Sequence, residues 1–272
     1  MQLPALDQVQ SDPFLYRCWQ ADRKGIYNPK VNANTRFLDR RRLLTAFYQI
    51  KRHLSPEPIH QRLADFACGT GTMGVLWVEQ GYKVDFVDNE KRFFNYIQKK
   101  LSHVSSFSAS TRFIHRGIHD DRQSSPETYD AIYLGEALEH MAKPDLTLRQ
   151  LWRELKPGGL LSLTTPNGDF VGCYERNWTD VKDQWDRNEK IANTISNHVC
   201  EFTVEELQTL LKEAGFGIVE HEVVCSSQVS KRHLLRLLPE RWVWPLDRLW
   251  SKKVRDGKTF GRTQVVLAQK LS

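Results

Sequence analysis

Short apolar runs alternate with amphipathic segments along most of the chain. We predict strands at 63–67, 83–87, 111–115, 129–134, 159–165, 217–224 and 263–269. Helices are predicted between them, after Gly71, after Glu90, from Asp145 to Leu155 and from Val204 to Ala214. This alternation is typical of βαβ units, in which helices cover both faces of a parallel sheet. The pattern therefore predicts an α/β fold with a parallel sheet.

The pattern of apolar and polar residues divides the chain into two parts. Residues 1–60 are predicted to form an N-terminal helical cap, because Arg36–His53 places apolar side chains near one helical face. Residues 61–272 form the main domain. Within it, 166–200 and 225–262 fit no sheet element. We expect both insertions to shape a substrate pocket, since ligands of open α/β sheets bind beyond the carboxyl ends of the strands.

Composition narrows the cellular setting and the kind of partner. No apolar run approaches the ~18 residues that span a bilayer, and the N-terminus lacks the pattern of a secretory signal. The five cysteines are scattered and include no Cys-x-x-Cys pair, which is typical of a reducing compartment. We expect a cytoplasmic protein. Its net charge of +6 favours an anionic partner of some kind.

A glycine-rich loop runs from Asp65 through Ala67, Gly69 and Gly71, between the first predicted strand and the next helix. Glycines there let the backbone turn sharply and approach a ligand closely. The helix N-terminus offers unpaired N–H groups to a carboxylate. A tight turn without a ligand is the alternative that this loop alone leaves open.

An acidic residue ends the next strand. Asp88 lies 17 residues after Gly71, near the spacing expected of a carboxylate that accepts hydrogen bonds from both ribose hydroxyls. Asp85 is the rival, two positions earlier on the same side of the strand. We favour Asp88 because it stands at the end of the strand.

These segments form an ordered motif set. It comprises Asp65-x-Ala67-x-Gly69-x-Gly71, Asp88, the strand Tyr129-Asp130-Ala131-Ile132-Tyr133, and Leu155-Lys156-Pro157-Gly158-Gly159. In order and spacing it resembles the class I S-adenosylmethionine-dependent methyltransferases, over about 63–224. The resemblance implies S-adenosyl-L-methionine as cofactor and a doubly wound, Rossmann-like α/β fold with a seven-stranded, mostly parallel sheet. The strand at 263–269 would be its antiparallel seventh strand.

The resemblance also implies roles for single residues. Asp65, Ala67, Gly69 and Gly71 would surround the methionine end of the cofactor. Asp88 would bind the ribose, Asn89 would lie against the adenine, and Gly135 would lie beneath the sulfonium. There are two departures from the family. Ala67 replaces a usual glycine, and Gly117-Ile118 replaces a usual Gly-Asp pair, for which Asp120 is a poor substitute by position.

A cluster of ligand-type side chains follows strand four, in Glu136-Ala137-Leu138-Glu139-His140. A short helical turn would gather Glu136, Glu139 and His140 on one face. They can bind a divalent metal that acidifies a substrate hydroxyl. Alternatively, His140 alone acts as general base, without a metal. The candidate catalytic residues are His140 and Glu136. In the third interpretation Glu136 caps the turn and His140 packs.

This cluster resembles two metal-using branches of the family. In the ubiquinone-biosynthesis O-methyltransferases, Glu-x-x-Glu-His follows strand four. In the small-RNA 3′-end 2′-O-methyltransferases a distant histidine completes the site, and His198 would be that fourth ligand here. A His198 that only precedes a helix start is the alternative, because Thr203 and Glu206 form a capping box. Oxygen ligands favour magnesium or manganese, and a second histidine adds zinc.

Leucine and tryptophan interleave with lysine and arginine over 229–260. This pattern fits an amphipathic lid, an interfacial element on an anionic membrane, or an RNA-facing surface.

Together these observations predict an O-methyltransferase that acts on a small apolar or aromatic molecule. An RNA 2′-O-methyltransferase, or an N- or C-methyltransferase of a small molecule, is the alternative. The expected partners are the small-molecule acceptor and, through 229–260, the periphery of a membrane. Nucleic acid is not an expected partner.

Overall fold

The computed structural model describes residues 2–27, 34–104, 107–118, 126–173, 176–186, 198–226 and 240–271. Its helices are α1 (Pro13–Asp22), α2 (Asn34–His53), α3 (Thr72–Glu79), α4 (Arg92–Leu101), α5 (Phe107–Ser110), α6 (Pro144–Glu154), α7 (Trp178–Asp186), α8 (Val204–Glu213) and α9 (Glu240–Ser251). Within the described part of the chain, no helix is both long and apolar enough to cross a bilayer.

The strands are β1 (Arg62–Phe66), β2 (Lys83–Asp88), β3 (Thr111–His115), β4 (Tyr129–Gly135), β5 (Leu155–Pro166), β6 (Phe216–Ser226), β7 (Val254–Arg255), β8 (Lys258–Thr259) and β9 (Gly261–Lys270). Seven of them form one sheet in the order β3-β2-β1-β4-β5-β9-β6. Strand β9 is antiparallel to both of its neighbours, and the other pairs are parallel. The predicted doubly wound, mostly parallel sheet is confirmed.

Two features of the sheet region differ from the prediction. Strand β5 begins at Leu155, which pairs with Tyr129, and the ladder resumes only at Ala131 and Leu160. The Pro-Gly-Gly segment therefore bulges out of the strand. Proline offers no N–H to a ladder and Gly158 is left-handed, with φ +72°. The second difference is the short antiparallel hairpin β7–β8, which lies inside the predicted insertion 225–262.

The core has two layers, one on each face of the sheet. In β9, Val265 and Leu267 belong to the layer that includes residues of α2, α3 and α4, while Val266 and Ala268 belong to the layer that includes residues of α6 and α8. Successive side chains of a strand point to opposite faces. Because both faces are covered, the inner strands carry apolar residues at almost every position. This explains the continuous apolar runs in the sequence.

A buried ion pair attaches α9 to the rest of the molecule. The Nε atom of Arg41, on α2, lies 3.1 Å from Oδ2 of Asp247, and both side chains are buried. The Asp247 carboxylate also accepts hydrogen bonds from the backbone N–H groups of Cys225 (3.0 Å) and Ser226 (2.6 Å), at the end of β6. One carboxylate thus connects α2, α9 and the edge of the sheet.

We expect Asp247→Ala to lower the free energy of unfolding by about 3–5 kcal/mol, because Arg41 and two backbone N–H groups would remain buried without a partner. Urea unfolding followed by circular dichroism measures the change. The matched control is Asp183→Ala, an exposed aspartate of α7, which should change stability by less than about 0.5 kcal/mol. Equal stability of the two variants would contradict the anchoring role.

Candidate active site

The site lies where the sheet changes winding direction. Strands β1 and β4 are neighbours, and Phe66 pairs with Leu134 near their carboxyl ends. From β1 the chain continues towards β2 and β3, and from β4 it continues towards β5, on the other side. Such a switch point leaves a crevice at the strand ends. Ala67 and Glu136, which follow these two strands, face that crevice.

The loop after β1 is left-handed at three positions. Ala67 and Gly69 have φ +50° and Gly71 has φ +67°. A Cβ atom on Gly71 would lie 2.6 Å from Ile97, so glycine is required there for space as well as for conformation. The left-handed conformation costs a residue with a Cβ atom roughly 1–2 kcal/mol. This cost gives a physical reason for the glycine that the family usually has at the position of Ala67.

The carboxylate of Asp65 supports the loop from beneath. Its Oδ2 atom accepts a hydrogen bond of 2.9 Å from the backbone N–H of Gly74, in the first turn of α3. Burial raises the pKa of this carboxyl from its ordinary 3.8 to about 7. Asp65 also lines a cavity at the carboxyl edge. It therefore joins strand, loop and helix at the position that the sequence assigned to the cofactor's methionine end.

Asp88 ends β2 and holds the same loop from the other side. Its Oδ2 accepts from the Gly69 N–H and its Oδ1 accepts from the Glu90 N–H, both at 2.9 Å. Each carboxylate oxygen has a second lone pair, so these contacts leave acceptor capacity for a ligand. Asp88 and Asn89 both line the adjoining cavity. This is the position at which the sequence predicted a ribose-binding acid.

Asp85, the rival candidate, is engaged in the fold. It is fully buried, lies 2.6 Å from Nη1 of Arg62, accepts a hydrogen bond of 3.0 Å from the Tyr129 hydroxyl, and pairs with Arg112. Its acceptor sites are thus taken by side chains of β1, β3 and β4. The geometry favours Asp88 over Asp85 as a ligand-binding acid.

Two adjoining cavities occupy the carboxyl edge and share Ala67 and Glu136 in their linings. The larger, of about 710 Å³, contains Asp88, Asn89 and His140. This volume is within the range of roughly 300–1,000 Å³ typical of small-molecule sites. The smaller, of about 360 Å³, is lined by predicted cofactor residues and by others from α1 and α2, among them Asp65, Gly69, Gly135, Asp22, Asp39 and Arg42.

The floor of the larger cavity contains an arginine that sequence reasoning missed. Arg116 is buried, and its Nη2 donates to both carboxylate oxygens of Glu154, at 2.8 and 2.6 Å. Its Nε and Nη1 atoms have no hydrogen-bond partner among the described residues. Gly117 and Ile118 line the cavity next to it. Asp120, the weak substitute for the family's acid, lies outside the described residues.

The structure corrects the expected position of Glu136. The sequence predicted a helical turn with Glu136, Glu139 and His140 on one face. The turn includes only Leu138–His140, and Glu136 is left-handed, with φ +51°. Its Oε2 atom consequently pairs with Arg42 of α2, and its buried Oε1 has no partner among the described residues. Glu136 is thereby directed towards α2 and is separate from the candidate metal ligands.

The remaining ligand-type residues do come together. Among the described residues, one ligand atom each from Glu139, His140 and His198 lie within 4.8 Å of one another. The two imidazole rings meet edge to face, with centroids 4.9 Å apart. His198 is held there because the Val199 N–H donates to the Glu139 carbonyl at 2.7 Å. The sequence named all three residues, but Glu136 does not join them.

Glu139 and His198 each have a hydrogen-bonding neighbour that orients the side chain. Glu139 is buried and accepts a hydrogen bond of 2.9 Å from the Thr165 hydroxyl. Burial, and secondarily the charge of Glu136, raises the pKa of Glu139 well above its usual range. Nδ1 of His198 lies 3.2 Å from Oε1 of Glu201, which leaves Nε2 as its available ligand atom. A carboxylate on the outer nitrogen is the usual support of a metal-binding histidine.

The capping box after His198 is also present. The Thr203 hydroxyl accepts from the Glu206 N–H at 3.1 Å, and the Glu206 carboxylate accepts from the Thr203 N–H at 2.9 Å. The box begins α8 and fixes the chain a few residues beyond His198. The two interpretations of this segment are therefore compatible, because the cap holds the helix and His198 meets His140 from the loop before it.

Besides Arg116, sequence reasoning missed Lys100, whose buried ammonium group lies beneath the glycine-rich loop. Nζ of Lys100 lies 2.9 Å from the Asp22 carboxylate, and it donates to the Thr70 carbonyl at 3.0 Å and the Thr72 hydroxyl at 3.1 Å. This lysine on α4 connects α1 to the glycine-rich loop. A lysine within the otherwise apolar face of α4 was the available sequence signal. Arg42, among three consecutive arginines, offered no comparable signal.

Comparison with known proteins agrees with this geometry. A family model described as a methyltransferase domain matches residues 34–221. The chain therefore belongs to this family, and it is a class I S-adenosylmethionine-dependent methyltransferase.

Individual relatives share only part of their length with this chain. The tRNA 5-carboxymethoxyuridine methyltransferase of Escherichia coli K12 is 29% identical over 106 residues, 39% of this chain and 40% of the relative. A ubiquinone biosynthesis O-methyltransferase of Xanthomonas campestris is 29% identical over 108 residues, 39% and 43% respectively. The chain thus matches less than half the length of these relatives.

A solved structure shows the same fold. Phosphoethanolamine N-methyltransferase 2 of Haemonchus contortus, in complex with S-adenosyl-L-methionine, superposes with a TM-score of 0.53 at 16% identity. The superposition covers 84% of this chain and 53% of that one. At this identity the likeness concerns the fold.

The raised pKa of Asp65 predicts a pH-dependent contribution to stability. The folded chain keeps this proton up to about pH 7, whereas the unfolded chain loses it near pH 4. The stabilisation is therefore complete below about pH 4 and is lost as pH rises through about 7. Asp65→Asn retains an acceptor for the Gly74 N–H and cannot ionise. Its stability relative to wild type should increase over this window in urea unfolding. Asp256→Asn is the control, and parallel curves for wild type and Asp65→Asn would contradict the assignment.

The assignment of Asp88 predicts a selective loss of cofactor affinity. Asp88→Ala should weaken S-adenosylhomocysteine binding by about 1–3 kcal/mol in calorimetry, because hydrogen bonds to the ribose and to the loop are lost. Asp85→Asn is the matched control. It should lower stability, because it breaks the contacts with Arg62 and Arg112, and leave affinity nearly unchanged. Equal losses of affinity in both variants would remove the distinction between the two acids.

Proposed function

We propose that this enzyme transfers the methyl group of S-adenosylmethionine to a hydroxyl oxygen of a small apolar or aromatic molecule. One observation carries the proposal. Glu139, His140 and His198 converge at the carboxyl end of β4, beside the cavity that contains Asp88. This arrangement puts groups that can take a proton from an acceptor next to the candidate cofactor cavity.

The residues of the two cavities suit the cofactor. Asp88 and Asn89 would hold the adenosine in the larger cavity, and the glycine-rich loop would hold the methionine part in the smaller one. Glu136 lines both cavities, and its buried Oε1 has no partner among the described residues. A carboxylate at this position suits a positively charged group. When bound, S-adenosylmethionine supplies an electrophilic methyl group. The enzyme contributes alignment, which is worth up to roughly 7–11 kcal/mol.

We further propose that Glu139, His140 and His198 hold a divalent ion. Two histidines and one glutamate are the protein ligands of several catalytic zinc sites, and the set also suits manganese. A bound ion would lower the pKa of an acceptor hydroxyl and orient it. It would also favour the ionised form of Glu139 against the effect of burial. In the metal-free alternative, His140 alone removes the proton as a general base.

The proposed class of acceptor follows from the lining of the larger cavity and from the relatives. Val87, Ile118, Ala137 and Met141 give the larger cavity an apolar wall. The partial match to a ubiquinone biosynthesis O-methyltransferase agrees with an apolar aromatic acceptor. The competing class is RNA, which the tRNA-modifying relative and the net charge of +6 favour. We propose the small molecule because two of the predicted catalytic residues, Glu136 and His140, line a cavity of small-molecule size.

The mechanism is tested by chelation and by three histidine variants. With an ion in the site, exhaustive chelation should abolish methyl transfer, and S-adenosylhomocysteine affinity should stay nearly intact. Zinc or manganese should restore the activity. His140→Ala and His198→Ala should each lose most of the ion affinity. His60 is an exposed histidine that is not one of the candidate ligands, so His60→Ala should behave as wild type.

The outcomes separate the alternatives. Full activity after chelation, with a loss of about 10²–10⁴ in rate for His140→Ala alone, would assign the imidazole as a metal-free base. Full activity of both His140→Ala and His198→Ala would contradict the proposal. The acceptor class is tested by transfer of labelled methyl to a panel of phenols and catechols, and to unmodified tRNA. Incorporation into tRNA alone would contradict the small-molecule acceptor.

A further inference from the structure

Helix α9 exposes an apolar stripe to solvent. Trp242 and Leu249 lie two turns apart on the same face, and each is 62% exposed. Pro245 is exposed between them, and Val254, just after the helix, is 64% exposed. Single exposed apolar residues are common in proteins, but three on one helical face, with a fourth exposed three residues after the helix, are a concentration of exposed apolar surface. We call Trp242, Pro245, Leu249 and Val254 the α9 stripe.

The opposite face of α9 fixes the orientation of this stripe. Val243, Asp247 and Ser251 are buried against the rest of the protein. The ion pair of Asp247 with Arg41, and its hydrogen bonds to the end of β6, hold the helix in place. A lid that covers the active-site cavity would turn its apolar side inward. The described part of the insertion 225–262 instead packs against α2 and β6 and leaves an apolar side outward.

Basic side chains surround the α9 stripe. From 248 to 258 the chain carries the exposed residues Arg248, Lys252, Lys253, Arg255 and Lys258 against one acidic residue, Asp256. Arg248 lies 3.4 Å from Glu222, and the Lys253 ammonium lies over the Trp250 ring. The first part of the predicted basic and apolar segment, 229–239, lies outside the described residues. The stripe thus lies within a positively charged surface.

This surface lies at the same edge of the sheet as the active site. Strand β6 is antiparallel to β9, which is antiparallel to β5, so β6 runs parallel to the strands that carry the site. Helix α9 follows the carboxyl end of β6. The β7–β8 hairpin joins the segment after β5, because the Val171 N–H donates to the Thr259 carbonyl at 2.9 Å and the Thr259 N–H donates to the Asp169 carbonyl at 2.7 Å.

We propose that the α9 stripe and its basic surroundings bind the surface of an anionic lipid bilayer. Tryptophan prefers the interface between water and lipid, and moving leucine and valine side chains out of water lowers the free energy of the system. Lysine and arginine are attracted to anionic headgroups within about a Debye length of the bilayer. Attachment here presents the carboxyl edge of the sheet near the bilayer. The proposal concerns attachment and does not depend on the acceptor or on the chemistry.

Vesicle flotation tests the proposal on the full chain. One set of vesicles contains phosphatidylcholine alone, and the other is an equimolar mixture with phosphatidylglycerol. Wild type should bind the anionic vesicles and be released by high salt. Trp242→Ala/Leu249→Ala should weaken this binding roughly tenfold or more, because two side chains that enter the interface are lost. Lys252→Ala/Lys253→Ala should weaken it by a similar factor and reduce its salt dependence.

The matched control is Leu146→Ala/Lys212→Ala, which removes an exposed leucine from α6 and an exposed lysine from α8, on the opposite face of the sheet. It should bind vesicles as wild type does. Thermal unfolding and S-adenosylhomocysteine affinity should be unchanged in all three double variants, which separates lost attachment from misfolding and from failure of the proposed function.

Absence of wild-type binding, or loss in the control equal to that of the stripe variant, would overturn the proposal. Tighter retention by single-stranded RNA, lost in the same variants, would assign the surface to nucleic acid and overturn it too.

Discussion

Arg41 and Arg42 are consecutive residues of α2, and their ion pairs point in different directions. Arg41 pairs with the buried Asp247 of α9, and Arg42 pairs with Glu136 after β4. Arg42 also lies 3.0 Å from Asp39, one turn earlier on the same helix. Arg41 and Asp247 are buried, so loss of either partner would be strongly destabilising, whereas Arg42 and Glu136 are partly exposed. Because the two arginines are adjacent, α2 connects Glu136 to α9. The N-terminal segment, the active-site crevice and the insertion before β9 therefore share one support.

The crevice itself is built from strained backbone held by carboxylates. The residues that follow the two central strands, Ala67 and Glu136, are both left-handed without being glycine. Such conformations persist only where surrounding contacts hold them, and they concentrate at functional sites. Here Asp88 anchors the loop after β1, and the Thr164 carbonyl accepts from the N–H of Glu136 at 2.8 Å. Contacts within the chain thus fix the backbone of the crevice at both strand ends.

Most of the fold could be predicted from the sequence because its information is local and repeated. A strand buried on both faces must be apolar along its length, and a helix that covers a sheet must be amphipathic. The seven strands and their order along the chain follow from this. The bulge in β5 and the hairpin β7–β8 do not, because a bulge depends on the register of the neighbouring strand, and a two-residue strand has no period to detect.

The same division holds for the site. By itself, the sequence determined the strand–loop–helix that carries Asp65 and Gly69, the acid at Asp88, and the identities of Glu139, His140 and His198, because short motifs place chemical groups at fixed offsets from a strand end. Only the tertiary structure decided which of them meet. One left-handed residue turned Glu136 towards α2, and a single backbone hydrogen bond brought His198 to His140. Such contacts join segments distant in sequence, and their geometry depends on how whole elements pack, which residue spacing does not encode.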